Sequence, residues 1–164
     1  MAAFRMYGVA RQWAQDALLL RMESVEIPEV KGGSGKAGAW RAVWVSPQTR
    51  RQREYSYSVV ESSANYLKEG VFAQQPADWQ QNPQAKPFLM AALQVDSTAA
   101  YQTAIKESAD YIAKHPDMPV QFELSWTGQT SNAAWRVVWG PSIGRSDYSI
   151  FVDASTGLFV RRIR

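Results

Sequence analysis

Two short stretches decide how this chain is read: Ala39-Trp40-Arg41-Ala42-Val43-Trp44 and Ala134-Trp135-Arg136-Val137-Val138-Trp139. They agree at five of six positions and lie 95 residues apart in a chain of 164. Both are dense in strand-forming residues and both run into a proline-containing turn, Ser46-Pro47 in one case and Gly140-Pro141 in the other, so both predict strands. Alternation puts Trp40, Ala42 and Trp44 on one face and Arg41, Val43 and Val45 on the other. Each stretch is followed by an arginine and a strand bearing Tyr-Ser (Tyr55-Ser56, Tyr148-Ser149), and each is preceded by a helical segment. That shared order points to internal duplication.

Working outward, Phe4, Val9, Trp13, Ala17 and Leu20 recur at helical intervals, with Arg11, Gln12, Gln15 and Asp16 facing away. Leu18 and Leu19 widen the apolar face of that expected helix. Lys31-Gly32-Gly33-Ser34-Gly35-Lys36 reads as a flexible connection. It is not a phosphate loop, because Ala37 stands where Ser or Thr is needed. Strands are expected at residues 39–45 and 53–60, with a short third one over 66–72. Residues 74–88, rich in Gln, Asn and Pro, read as a connecting segment, with Trp79 a peg that holds it to the core. Asp96-Ser97-Thr98 supplies N-cap chemistry for a helix over 99–114, ended by His115-Pro116. Strands follow at 120–126, 134–139, 147–152 and 158–163. The fold expected is α+β: two repeated units, 1–73 and 89–164, each a helix on a three- or four-stranded antiparallel sheet. They pack in one body about a pseudo-twofold, sheets side by side.

The second half resembles a PepSY-type unit. The likeness rests on Ala134-Trp135-Arg136-Val137-Val138-Trp139 followed by Tyr148-Ser149-Ile150-Phe151-Val152-Asp153-Ala154-Ser155-Thr156-Gly157-Leu158, whose Val-Asp-Ala-x-Thr-Gly closure is its most specific part. The first half keeps the Ala-Trp-Arg-x-Val-Trp strand but has Val60-Glu61-Ser62-Ser63-Ala64-Asn65 where the Asp and Gly would stand. The resemblance implies a non-catalytic module of the cell envelope or exterior that inhibits or binds a protein or peptide partner. It brings no catalytic residues and no cofactor.

Composition agrees with a folded protein: 46% hydrophobic, 20% charged, with seven Trp, seven Tyr and six Phe. A formal charge of +3 is too mild for a dedicated nucleic-acid surface. With no cysteine and one histidine, thiolate chemistry, Cys-ligated zinc and multi-His metal sites fall away. No apolar run is long enough to span a bilayer. His115 reads as a helix C-terminal cap, Asp153 as a turn former, and Glu23, Glu26 and Glu29 as a solvated face. The partner-binding candidates are Arg41 and Arg136, which either stack on a ring or pair with a carboxylate across the sheet, together with Trp44, Trp139, Arg50 and Arg53. The alternative function is a single-stranded nucleic-acid binder that stacks bases on the tryptophan strands, with arginines on the phosphates. Burial of Trp40, Trp44, Trp135 and Trp139 under helices would remove that surface.

Overall fold

A computed structural model describes residues 1–164. Helix α1 (Ala2–Trp13) leads into strands β1 (Leu18–Val25), β2 (Ala39–Ser46), β3 (Arg51–Ser58), β4 (Gly70–Ala73) and β5 (Ala77–Asp78). Helices α2 (Ser97–Lys106) and α3 (Ala109–Lys114) then precede β6 (Val120–Ser125), β7 (Ala134–Trp139), β8 (Tyr148–Asp153) and β9 (Phe159–Ile163). The protein is therefore α+β, and its nine strands make one continuous sheet in the order β4-β3-β2-β1-β6-β7-β8-β9, with β5 also on β3. Every named pairing is antiparallel. No helix is long and apolar enough to cross a membrane.

The central joint is the pairing of β1 with β6: Arg21 opposite Ser125, Met22 opposite Leu124, Glu23 opposite Glu123. Helix α1 packs on β2, β3 and β4, and α2 on β7 and β8, all from one side. Beneath them lies a cluster of 25 buried residues that takes in Trp40, Trp44 and Tyr55 as well as Trp135, Trp139 and Ile150, so the main core spans the joint; a small satellite of Ile27, Ala39 and Leu67 lies apart from it. Trp40 meets Trp135 edge to face at 6.0 Å across the joint, an arrangement worth about 0.5–1.5 kcal/mol beyond the area it buries.

Several expectations are corrected. The first helix stops at Trp13, where Ala14 turns extended, and Leu18–Val25 is a strand rather than more helix. Asp16 makes the break: its carboxylate accepts from the Ser46 hydroxyl at 2.8 Å and the Gln48 amide at 2.9 Å, tying the chain to the far turn. The buried face of α1 is Ala3, Met6 and Ala10, while Phe4 and Val9 are exposed. Small residues there let the helix approach the bulky Trp44 and Tyr55. The helix expected over 99–114 is two, parted at Ser108, a buried residue whose hydroxyl is shared with the Tyr148 hydroxyl at 3.1 Å. Its N-cap holds as expected, Asp96 accepting from the Ala99 amide at 2.8 Å. Residues 63–65 form a 3-10 turn before a strand confined to Gly70–Ala73. The Tyr-Ser strands are also out of step: Tyr148 sits opposite Trp139, whereas Arg53 sits opposite Trp44 and Tyr55 opposite Ala42. The glycine run is no free connection either. Gly35, at φ +85°, lies so close to Ser97 and Thr98 that a Cβ would fall 2.5 Å from the Thr98 Cα.

Candidate functional site

On the face away from the helices one row of side chains crosses the joint: Ser56, Arg41, Glu23, Glu123, Arg136 and Phe151, each opposite the next on adjacent strands. Two glutamates directly opposed repel, and an arginine flanks each of them. Arg136 places Nη1 3.6 Å from a Glu123 carboxylate oxygen. Its remaining donors reach the Ser146 hydroxyl at 2.9 Å and the Ser149 hydroxyl at 3.2 Å, and its guanidinium lies 5.9 Å from the Phe151 ring centre. Arg41 donates to the Asn65 carbonyl at 3.3 Å, which fastens the loop after β3 onto the face. Of the roles read from sequence for these arginines, Arg136 thus combines both: pairing across the sheet and stacking on a ring. Of the spaced glutamates, only Glu23 lies on a strand, half-buried; Glu26 and Glu29 are exposed beyond its end.

Trp44 and Trp139 lie in the core, 0% and 2% exposed. Trp44 stacks on Tyr7 of α1 at 5.3 Å, and Trp139 meets Tyr148 edge-on at 5.5 Å. Trp40 and Trp135 are buried beside them, with the Trp135 indole donating to the Val95 carbonyl at 2.8 Å. These four rings offer no stacking platform to a ligand. Their strands read as a possible surface only because aromatic alternation looks the same under a helix as in the open.

The arginines after β2 hold the connecting segment. Arg53 donates to the Gln74 carbonyl at 2.7 Å, Arg51 pairs with Asp78 and the Pro76 carbonyl, and the Arg50 carbonyl accepts from the Trp79 amide at 2.9 Å. Arg50 itself adopts φ +53° and stays exposed. With Trp79, half-buried, it lines an open hollow of about 630 Å³.

At the far edge the sequence places Arg161, Arg162 and Arg164, which read either as charges that solvate a strand edge and discourage edge pairing or as phosphate contacts. Strand β9 pairs only with β8, and Leu158, Phe159 and Val160 are 67%, 40% and 40% exposed. Beside it a hollow of about 440 Å³ is bounded by Lys106, Lys114, Arg162 and Arg164, over the parallel stack of Tyr111 and Tyr148, whose centres are 4.0 Å apart. Burial raises the Tyr111 phenol above its ordinary value, helped by the negative charge of Asp147 and by the neighbouring Tyr148 phenol. The exposure of Leu158, Phe159 and Val160 beside those arginines has no sequence signal, because it depends on β9 ending the sheet. A further hollow, about 280 Å³, lies between the glycine run and the start of β6.

The other shifted groups serve the fold. Burial would raise Asp16 and Asp153, yet both lie below the ordinary carboxyl value. The Gln48 amide and Ser46 hydroxyl hold Asp16 down, and the Thr156 amide, the Asn132 side chain and the Ser155 amide hold Asp153 down. Asp153 is the turn former expected, and burial raises the Tyr55 phenol against the opposing pull of Arg53. These groups sit in separate turns and under α1, not around one hollow. His115 is exposed at the end of α3, its ring 4.4 Å from that of Tyr111. No group of three or more Asp, Glu or His side chains is placed to hold a metal ion. Comparison with protein-family models, curated protein sequences and solved structures returns no match.

Proposed function

We propose that this protein is a non-catalytic recognition module of the cell envelope or exterior that engages a protein or peptide. The observation that carries the reading is the β9 edge: apolar and cationic side chains stand in solvent there beside unpaired backbone groups. Large apolar side chains left exposed in a row mark interaction surfaces more often than scattered ones do, and a free strand edge is a template for another chain. The module is read as two helix-plus-sheet units, 1–73 and 89–164, joined by 74–88 and similar to PepSY units. Symmetry of the register about Glu23 and Glu123 supports that reading, since β2 and β7 lie on the two sides with Arg41 and Arg136 in matching places. The envelope location follows from the resemblance alone.

The test is site-specific photo-crosslinking in the source organism's envelope fraction. A photoreactive residue at Val160 is compared with one at Val9, which is exposed on α1. One protein captured from Val160 and absent from Val9 is the expected result. Salt-sensitive oligonucleotide binding with no protein captured would replace this reading by the nucleic-acid one.

A further inference from the structure

We infer that β9 accepts an acidic, extended segment of a partner polypeptide as an additional strand, its carboxylates meeting the arginines of that edge and the unpaired Lys106, Lys114 and Arg164 of the hollow beside it. The inference rests on the recognition reading above and specifies the partner's chemistry. The sheet ends at β9, so the outward backbone donors and acceptors of Phe159–Ile163 have no strand to meet. No proline interrupts the strand. The opposite edge is a poorer template: β4 has four residues, and its first, Gly70, adopts φ +92°.

Charge selects the occupant. Arg161 and Arg162 lie on β9 and Arg164 follows it. Two copies pairing through β9 would bring these cations together, which disfavours a dimer through this edge. An acidic strand instead meets the arginines of the edge itself. Arg162 is engaged by Glu107, through its carbonyl and a carboxylate oxygen 3.9 Å away, but Lys106, Lys114 and Arg164 have no ion-pair partner. Glu107, Asp110 and Asp147 line the hollow as well, so four cations stand there against three carboxylates, and neither aspartate is ion-paired. Pairing places Arg162 opposite Ile150 and Phe159 opposite Val152, both core-facing, so these two side chains lean toward the helices. An added strand with alternating side chains would send every second one toward the hollow. In strand addition the backbone bonds supply affinity and the side-chain hollows supply selectivity.

The probe is a fluorescein-labelled heptapeptide of alternating glutamate and valine, titrated into the full chain at near-physiological salt and followed by anisotropy. Its controls are the lysine–valine heptapeptide and the glutamate peptide N-methylated at alternate amides. Amide exchange is recorded in parallel. The expected result is binding at least about tenfold tighter than the lysine peptide, loss of a similar factor on N-methylation, and slowed exchange of β9 amides. The double variant Lys114→Glu/Arg164→Glu, both exposed positions, should weaken it comparably without altering the fold. Equal binding of the N-methylated peptide would overturn strand addition in favour of charge alone. Protection of β9 through self-association would overturn it in favour of a second copy. No binding of the acidic peptide, with a protein still captured from Val160, would overturn the acidic strand while sparing the recognition reading; absence of both would remove both.

Discussion

The row of charges on the sheet face away from the helices, half-buried beneath loops, is governed side chain by side chain. Glu23 and Glu123 face each other across the joint; Arg136 pairs with Glu123, while Arg41 lies opposite Glu23 without an ion pair. The two arginines are not equal. Arg136 is 23% exposed and engages Glu123 and two serine hydroxyls, whereas Arg41 makes one bond to a carbonyl. Arg136→Ala should therefore cost about 1–2 kcal/mol, discounted for partial exposure, and Arg41→Ala less than about 1 kcal/mol. Glu23→Gln removes repulsion and should be neutral or stabilising by a few tenths of a kcal/mol, roughly. Urea unfolding of the three variants checks the order; equal losses for both arginines would contradict it. Acid stability belongs to the same scale. Asp16 and Asp153 titrate below the ordinary value of 3.8 in the folded protein. Their contribution is thus complete above that value and is lost as pH falls through the lowered folded values. Asp16→Asn and Asp153→Asn should flatten the acid limb of a stability-versus-pH curve while leaving its neutral region to shift as a whole. An unchanged acid slope would mean that other carboxyls govern it.

At the scale of elements, the helices satisfy the sheet unequally. Under α2 and α3 the Tyr148 hydroxyl finds Ser108 and the Trp135 indole finds a carbonyl. Under α1 the Trp44 indole and Tyr55 hydroxyl are buried with no hydrogen-bond partner. Removing an unsatisfied hydroxyl relieves its desolvation cost, so Tyr55→Phe should be neutral or stabilising by up to about 1 kcal/mol, while Tyr148→Phe should lose about 1 kcal/mol. Thermal unfolding of the two variants separates them by sign, and a loss at Tyr55 matching that at Tyr148 would show that its hydroxyl is bonded after all. Elements were legible in the sequence where periodicity acted alone, as in the strands at 39–45, 120–126 and 134–139. They were illegible where a distant side chain intervened. Asp16 ended a helix because Ser46 and Gln48 lay in reach, and Ser108 split another because Tyr148 took its hydroxyl. Neither contact leaves a local signal. The candidate site divides the same way: arginine against carboxylate was foreseeable for Arg136, but burial of Trp44 and Trp139 depends on where a helix lands, and the β9 edge depends on which strand ends the sheet.

The whole molecule is held by the joint between β1 and β6, and that joint decides how it should unfold. Three register pairs cross it, and beneath them Met22 and Leu124, 1% and 0% exposed, sit opposite each other in a core shared by both sides. A chain of two independent bodies would bury little at such a boundary; this one buries the Trp40–Trp135 contact as well. The backbone adds to the coupling, since residues 74–88 return to the sheet, with Phe88 bonded to Leu19 in both directions at 3.0 and 2.9 Å. Loss of either side would expose the opposing strand of the joint and half of the shared core. Unfolding should accordingly be one cooperative transition, with far-ultraviolet circular dichroism and tryptophan fluorescence coinciding along a urea titration. Leu124→Ala, at the centre of the joint, should lower stability by about 2–5 kcal/mol and move both signals together. Two separated transitions, with only one displaced by Leu124→Ala, would mean that each side has a core of its own and that the continuous sheet is a docking of two bodies rather than the unit that folds.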